Sequence, residues 1–240
     1  MHSEGVYKLN IKDIRFYKDM ILRIIQIGFP AGLQSSIFSL SNVLIQSSIN
    51  SFGYITMAAN SAAANIDGFI YISVNSVHHA GLSFTSQNYG ARQYKRIKQI
   101  FFLCGITVFS IGLIMGSVFN LFGSQLLSLY ISSSDPNCDA LIATGMLRMR
   151  IIGLSYCLCG LMDTFTGLLL GLGKSCTPLI ISSFGACVFR VIWIYTIFAA
   201  VPTLQTLYIS YPISWTITPI VHIIVLIHTY KKQCRTPNTV

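Results

Sequence analysis

Asn60, Asp67, Tyr71 and Asn75 follow one another at intervals of seven, four and four residues, a spacing that places them near one face of a helix. The stretch that carries them is otherwise apolar. An ionised carboxylate midway along a membrane span costs roughly 2.5–3.5 kcal/mol on insertion scales, so Asp67 requires either a partner or a use. With Asn65 beside it and amides nearby, Asp67 is a candidate site for a proton or a sodium ion. The preceding apolar run holds Gln34, Asn42 and Gln46 among several serines. Amides of this density tie helices together or line a polar cavity between them. Gln34, Asn42, Asn60, Tyr71 and Asn75 are therefore the candidate lining of a substrate cavity.

Asp163 and Arg190 are the second pair with chemical content. Both lie inside apolar runs, and opposite charges in lipid seek each other, so a structural ion pair is expected; its functional version would be made in one conformational state and broken in another. Asp163 is also a candidate for cation or proton coupling. The histidines show no H-E-x-x-H or H-x-x-x-H spacing, and they read as interfacial or cavity-lining residues. Cys157 and Cys159 stand too close for the usual zinc pair, and the seven cysteines are read as small packing residues without disulfides. Gly171-Leu172-Gly173-Lys174-Ser175 looks superficially like the end of a phosphate loop but lacks the upstream glycine. There is no nucleophile elbow and no dinucleotide fingerprint. No enzyme activity, cofactor or resident metal is expected, beyond a coupling Na+ or H+.

The elements that must position these residues follow from composition. Of 240 residues 53% are hydrophobic and only 10% charged, against about 25% charged in a soluble domain. That excludes a soluble enzyme, a disulfide scaffold and a disordered chain. The net charge of +9 is not gathered on one soluble face, as nucleic-acid binding would need. An all-α polytopic membrane protein remains. Six apolar runs near 24–49, 53–82, 99–129, 142–172, 177–200 and 206–229 are long enough to span, and lipid permits only helices for them. Residues 1–20 carry Lys8, Lys12, Arg15 and Lys18, have no signal-peptide core, and are expected to lie as a cytoplasmic linker against anionic headgroups. The lobe proper is 21–230, and 231–240 is a tail with Lys231, Lys232 and Arg235. Lysine and arginine alternate between loops, which puts both termini in the cytoplasm after six crossings. Arg148 and Arg150 sit near the outer end of the fourth span, either snorkelling or facing a cavity. Pro30, Pro178, Pro212 and Pro219 should make helices irregular. Gly112 with Gly116, and Gly167 with Gly171, form small-residue faces for close helix approach.

Several stretches resemble the multidrug and toxic compound extrusion (MATE) transporters. Gly28 to Gln34 (GFPAGLQ) is similar to the start of that family's seventh helix. Ala58 to Phe69 (AANSAAANIDGF) and Ser86 to Arg96 (SQNYGARQYKR) resemble its eighth helix and the basic loop that follows. Gly171 to Ser175 with Pro178, Arg190 and Trp193 is similar to the junction of its tenth and eleventh helices. The resemblance implies a secondary antiporter that expels organic, often cationic compounds in exchange for Na+ or H+. It implies two six-helix lobes, of which this chain would be the C-terminal one, in the plasma (inner) membrane. Phe38 stands where some members carry glutamate, Leu170 where many carry arginine, and Cys159 near the place of a tenth-helix aspartate. The family's sodium site is therefore not carried over as a set. Expected partners are membrane lipids, small organic substrates, and either an N-terminal six-helix lobe or a second copy. A lipid-linked oligosaccharide flippase, kept open by Arg148, Arg150 and Arg190, and a non-transporting fragment or scaffold are the competing readings.

Overall fold

The computed structural model describes residues 15–132 and 134–234. The expectations for residues 1–14 and for Arg235 to Val240 lie outside the described residues. Four long helices open and close the chain: α1 (Lys18–Asn50), α2 (Tyr54–Gly90), α3 (Tyr94–Leu121) and, last, α9 (Leu204–Cys234). Between them come α4 (Gly123–Ser128), α5 (Cys138–Ile151) and α6 (Tyr156–Gly171), then α7 (Cys176–Ser182) and α8 (Phe189–Trp193). A single 3-10 turn, Gly153–Ser155, joins α5 to α6, so Cys138–Gly171 runs as one span. Two π-helical segments, Ser183–Val188 and Ile194–Phe198, flank α8 and make Cys176–Phe198 another. No strand occurs among the described residues.

The helix ends have local causes. α6 stops where Gly173 takes a φ of 78°. The Gly173 N–H then donates to the carbonyl of Leu170 and the Lys174 N–H to that of Leu169, which is the Schellman arrangement. The phosphate-loop look of Gly171 to Ser175 is thus a helix stop. α2 ends the same way, with Arg92 in the left-handed region at φ 55° and Gln93 donating to the carbonyl of Asn88. Around Pro212 and Pro219, which lie within α9, the hydroxyls of Ser210, Ser214, Thr216 and Thr218 donate to carbonyls three or four residues back. These hydroxyls bond carbonyls near the prolines and not those of Tyr208 and Trp215, which Pro212 and Pro219 leave without a ladder N–H partner.

Among the described residues five helices are long and apolar enough to cross a membrane: Lys18–Asn50, Tyr94–Leu121, Cys138–Gly171, Cys176–Phe198 and Leu204–Lys232. The exception to the six expected apolar spans is α2. Its 37 residues would reach about 55 Å at 1.5 Å per residue, so composition rather than length sets it apart. One stripe of α2, with Ala59, Ala63, Ile66, Ile70 and Val74, is fully packed in the protein. Exposed apolar side chains include Phe69, Ile72 and Phe84 of α2, Phe102, Leu103 and Ile114 of α3, and Ile220 and Ile224 of α9.

Glycine sets the closest approaches. A Cβ on Gly112 would lie 2.6 Å from the Cα of Cys157, and one on Gly116 would lie 2.5 Å from the Gly153 carbonyl oxygen. The first small-residue face of the sequence is therefore where α3 meets the α5–α6 junction. The second is where α6 meets α2: Cβ atoms on Gly167 and Gly171 would strike the His78 carbonyl at 2.9 Å and the Thr85 side chain at 2.7 Å. Gly68, by contrast, has nothing within 4 Å of such an atom. Alanine gains up to about 1 kcal/mol of helix propensity over glycine, whereas overpacking against backbone costs about 1–3 kcal/mol. Gly112→Ala and Gly116→Ala should therefore lower the thermal unfolding temperature of the detergent-solubilised protein, and Gly68→Ala should hold or raise it.

Candidate functional site

α1, α2, α5, α6 and α9, with α8, surround a cavity of about 620 Å3. Along α2 the stripe Asn60, Ala64, Tyr71, Asn75 and His78 faces it, next to the stripe that packs into the protein. α1 contributes Gln34, Phe38, Asn42 and Gln46, and α9 contributes Tyr211 and Trp215. All five residues expected to line a cavity from their spacing, Gln34, Asn42, Asn60, Tyr71 and Asn75, do line it. Asn75 Nδ2 donates to the Tyr71 hydroxyl at 3.3 Å, as their four-residue separation permits.

Asp67 is 1% exposed and lies behind this wall. Its Oδ2 accepts from both Nε and Nη2 of Arg148, each at 3.1 Å. Arg148 Nη1 donates to Asn60 Oδ1 at 2.8 Å, and the Tyr208 hydroxyl donates to the same oxygen at 3.3 Å. Asn60 Nδ2 donates to Gln46 Oε1 at 3.2 Å, and Gln46 Nε2 to Asn50 Oδ1 at 2.8 Å. One connected polar chain thus pins α1, α2, α5 and α9 together. This corrects two expectations. Asp67 is an ion-paired carboxylate and not the isolated one expected: Arg148 engages its Oδ2, while Oδ1 is buried with no hydrogen-bond partner among the described residues. Asn65 stands exposed on another face of α2 and does not join it, because two residues along a helix turn by about 200°.

The expected Asp163–Arg190 pair is not formed either; among the described residues the only ion pair is Asp67–Arg148. Arg190 is 3% exposed. Its Nε donates to the Ser214 hydroxyl at 3.1 Å, and its guanidinium carbon lies 4.0 Å from the Tyr211 ring centre and 5.4 Å from that of Trp215. Aromatic faces from α9 have taken the place that a carboxylate was expected to fill. Asp163 is half-buried and is the one acidic residue on the cavity wall among those described. Its main-chain carbonyl accepts from His78 Nδ1, which fixes α6 against α2 across Gly167. No group of three His, Cys, Asp or Glu gathers among the described residues.

Arg148 was legible only as an awkward charge near a span end. Arg148 and Arg150 point opposite ways, the first buried and the second exposed, as their two-residue spacing could have indicated. Nothing in the sequence links Arg148 to Asp67 across 81 residues. Tyr156, Tyr208, Tyr211 and Trp215 were likewise unassigned, since an aromatic in a span looks like packing.

Comparison with known proteins follows this geometry. The sequence pattern of the MatE family matches residues 30–196. A probable multidrug resistance protein, YoeA of Bacillus subtilis (strain 168), is 24% identical over 177 residues, covering 72% of this chain and 37% of that protein. Among solved structures, a crystal structure of MATE in complex with MaL6 superposes with a TM-score of 0.84 at 19% identity, over 95% of this chain and 51% of that one. A MOP superfamily transporter from Pyrococcus furiosus, whose binding pocket is described as reversed in polarity, gives a TM-score of 0.84 at 19% identity, over 95% and 50%. The chain thus spans about half the length of the solved structures and just over a third of the curated relative.

Removing one partner of a buried ion pair costs about 3–5 kcal/mol because the other is left uncompensated. Asp67→Asn and Arg148→Met should each destabilise the protein on that scale. The double variant should be clearly less destabilised than the sum of the two. Denaturant unfolding in mixed micelles followed by far-UV circular dichroism measures all three; additive losses would mean that the pair is not coupled in the folded protein.

Proposed function

The chain belongs to the MatE family, and from that premise we propose that it forms the C-terminal six-helix lobe of a drug antiporter rather than an enzyme. It has the fold of half a MATE transporter and the apolar helices of a multi-pass membrane protein. The completing half is an N-terminal six-helix lobe or, failing that, a second copy. The membrane is the plasma (inner) membrane, with both termini cytoplasmic, as the alternation of basic loops indicates.

The observation that carries the reading is a roomy cavity whose wall holds one carboxylate, Asp163, among amides and aromatic rings. Organic, often cationic compounds rest against Phe38, Tyr71, Tyr211 and Trp215, whose ring faces attract a cation. Gln34, Asn42, Asn60 and Asn75 orient polar groups. Asp163 takes the coupling ion, H+ or Na+. A coupling ion drives transport only if it binds one conformational state better than the other, and Asp163 sits beside the His78 contact that fixes α6 to α2. Asp67 and Arg148 act as the strut that holds the cavity wall, coupled to it through Asn60. No resident cofactor is required.

Everted membrane vesicles from the protein's own host, energised with a Na+ or a proton gradient, test this with ethidium as the transported cation. Asp163→Asn should reduce gradient-driven ethidium uptake at least tenfold at equal protein content; an unchanged rate would remove Asp163 from coupling. An antibody against Lys231 to Val240 should detect a native polypeptide near twice the 26.5 kDa of this chain. A band at 26.5 kDa itself would leave a working pair of copies or a fragment that transports nothing, and cross-linking would decide between them.

A further inference from the structure

Arg190 is always charged, is buried, and meets no carboxylate among the described residues. Arg148, the other guanidinium on the cavity wall, is neutralised by Asp67, so the two cations of this wall are not equivalent. Arg190 Nη2 is fully enclosed and has no hydrogen-bond partner among the described residues. The two ring faces and one hydroxyl that hold the group fix its plane without cancelling its charge. A buried cation in that condition is costly unless something anionic arrives. The acidic residue of the same wall, Asp163, makes no ion pair with it. With Nε taken by Ser214, the two Nη nitrogens of a guanidinium held flat by aromatic faces are the donors left for a carboxylate.

Resting on the reading of this cavity as the substrate site, we infer that Arg190 is a subsite for the carboxylate of an amphipathic aromatic substrate. The aromatic body lies along Tyr211 and Trp215, the carboxylate meets the guanidinium, and any cationic pole of a zwitterion faces Asp163. A small organic carboxylate fits better than a lipid phosphate. The site is walled by α1, α2, α5, α6, α8 and α9, and Arg190 lies well inside its span rather than at headgroup depth.

Rhodamine B and its methyl ester share one aromatic body and differ in the carboxylate. Binding of each to the full chain in phosphatidylcholine nanodiscs can be read from tryptophan quenching, since Trp215 faces the cavity. The acid should bind at least tenfold more tightly than the ester. Arg190→Gln should erase that preference while the ester still binds within twofold of the unchanged protein, which also shows that the variant is folded. Arg190→Lys, which keeps charge but not the fork, should retain only part of the preference. Equal binding of acid and ester, or a preference that survives Arg190→Gln, overturns the subsite and leaves the cavity's proposed function standing. Binding of neither dye overturns both. If phosphatidylglycerol nanodiscs displace the acid in an Arg190-dependent way, the anion is a lipid headgroup and the carboxylate assignment fails.

Discussion

A guanidinium taken out of water must be met by groups that replace its hydration, and most of this architecture follows from how two such groups are met. Arg148 is met by a carboxylate and an amide, and because those come from α2, the solution locks α2 to α5. The amide passes the constraint on to Gln46 of α1 and Tyr208 of α9. Arg190 is met by rings and a hydroxyl from α9 alone. One arrangement spends its acidic partner on holding four helices together. The other leaves the charge standing at the cavity wall, which is why the two arginines carry different chemistry in the same cavity.

α2 shows why a membrane protein can contain a long helix that does not look like a span. Its small residues, Ala59, Ala62 and Ala63, let α3, α5 and α6 approach closely, and its amides face the cavity. Neither of these faces needs lipid; Phe69, Ile72 and Phe84 form a separate exposed apolar surface. The apolar requirement falls on helices with an outer surface, above all α3, where Gly112 and Gly116 pack inward while Phe102 and Ile114 point out.

How much of this was legible in the sequence depended on whether the relevant contact was local. Helical periodicity put Asn60, Tyr71 and Asn75 on one face, and the cavity confirms them; the glycine pairs were readable as close-approach faces because their spacing is itself local. What could not be read was pairing across the chain. Asp67 found Arg148 rather than remaining open, and Arg190 found rings rather than Asp163, because burial and oppositely charged residues specify that partners are needed but not which ones. Asn65 was placed with Asp67 by adjacency in sequence, where helix geometry sends it elsewhere. The lower hydropathy of α2 has a related cause: its length suits a crossing, while its composition reflects neighbours the sequence does not display.

The two π-helical segments around α8 have a consequence for how this region tolerates insertions and deletions. Each wide turn accommodates its residues with i to i+5 bonds, so each acts as a place where the chain has absorbed one residue more than an α-helix would hold. Removing one residue from Ser183–Val188 would let the ordinary ladder close locally and leave Arg190 against Tyr211 and Trp215. The same deletion within α6, an α-helix without such slack, would turn everything after it by about 100°. A single-codon deletion is therefore tolerated at the wide turns of this helix and disruptive in its neighbour.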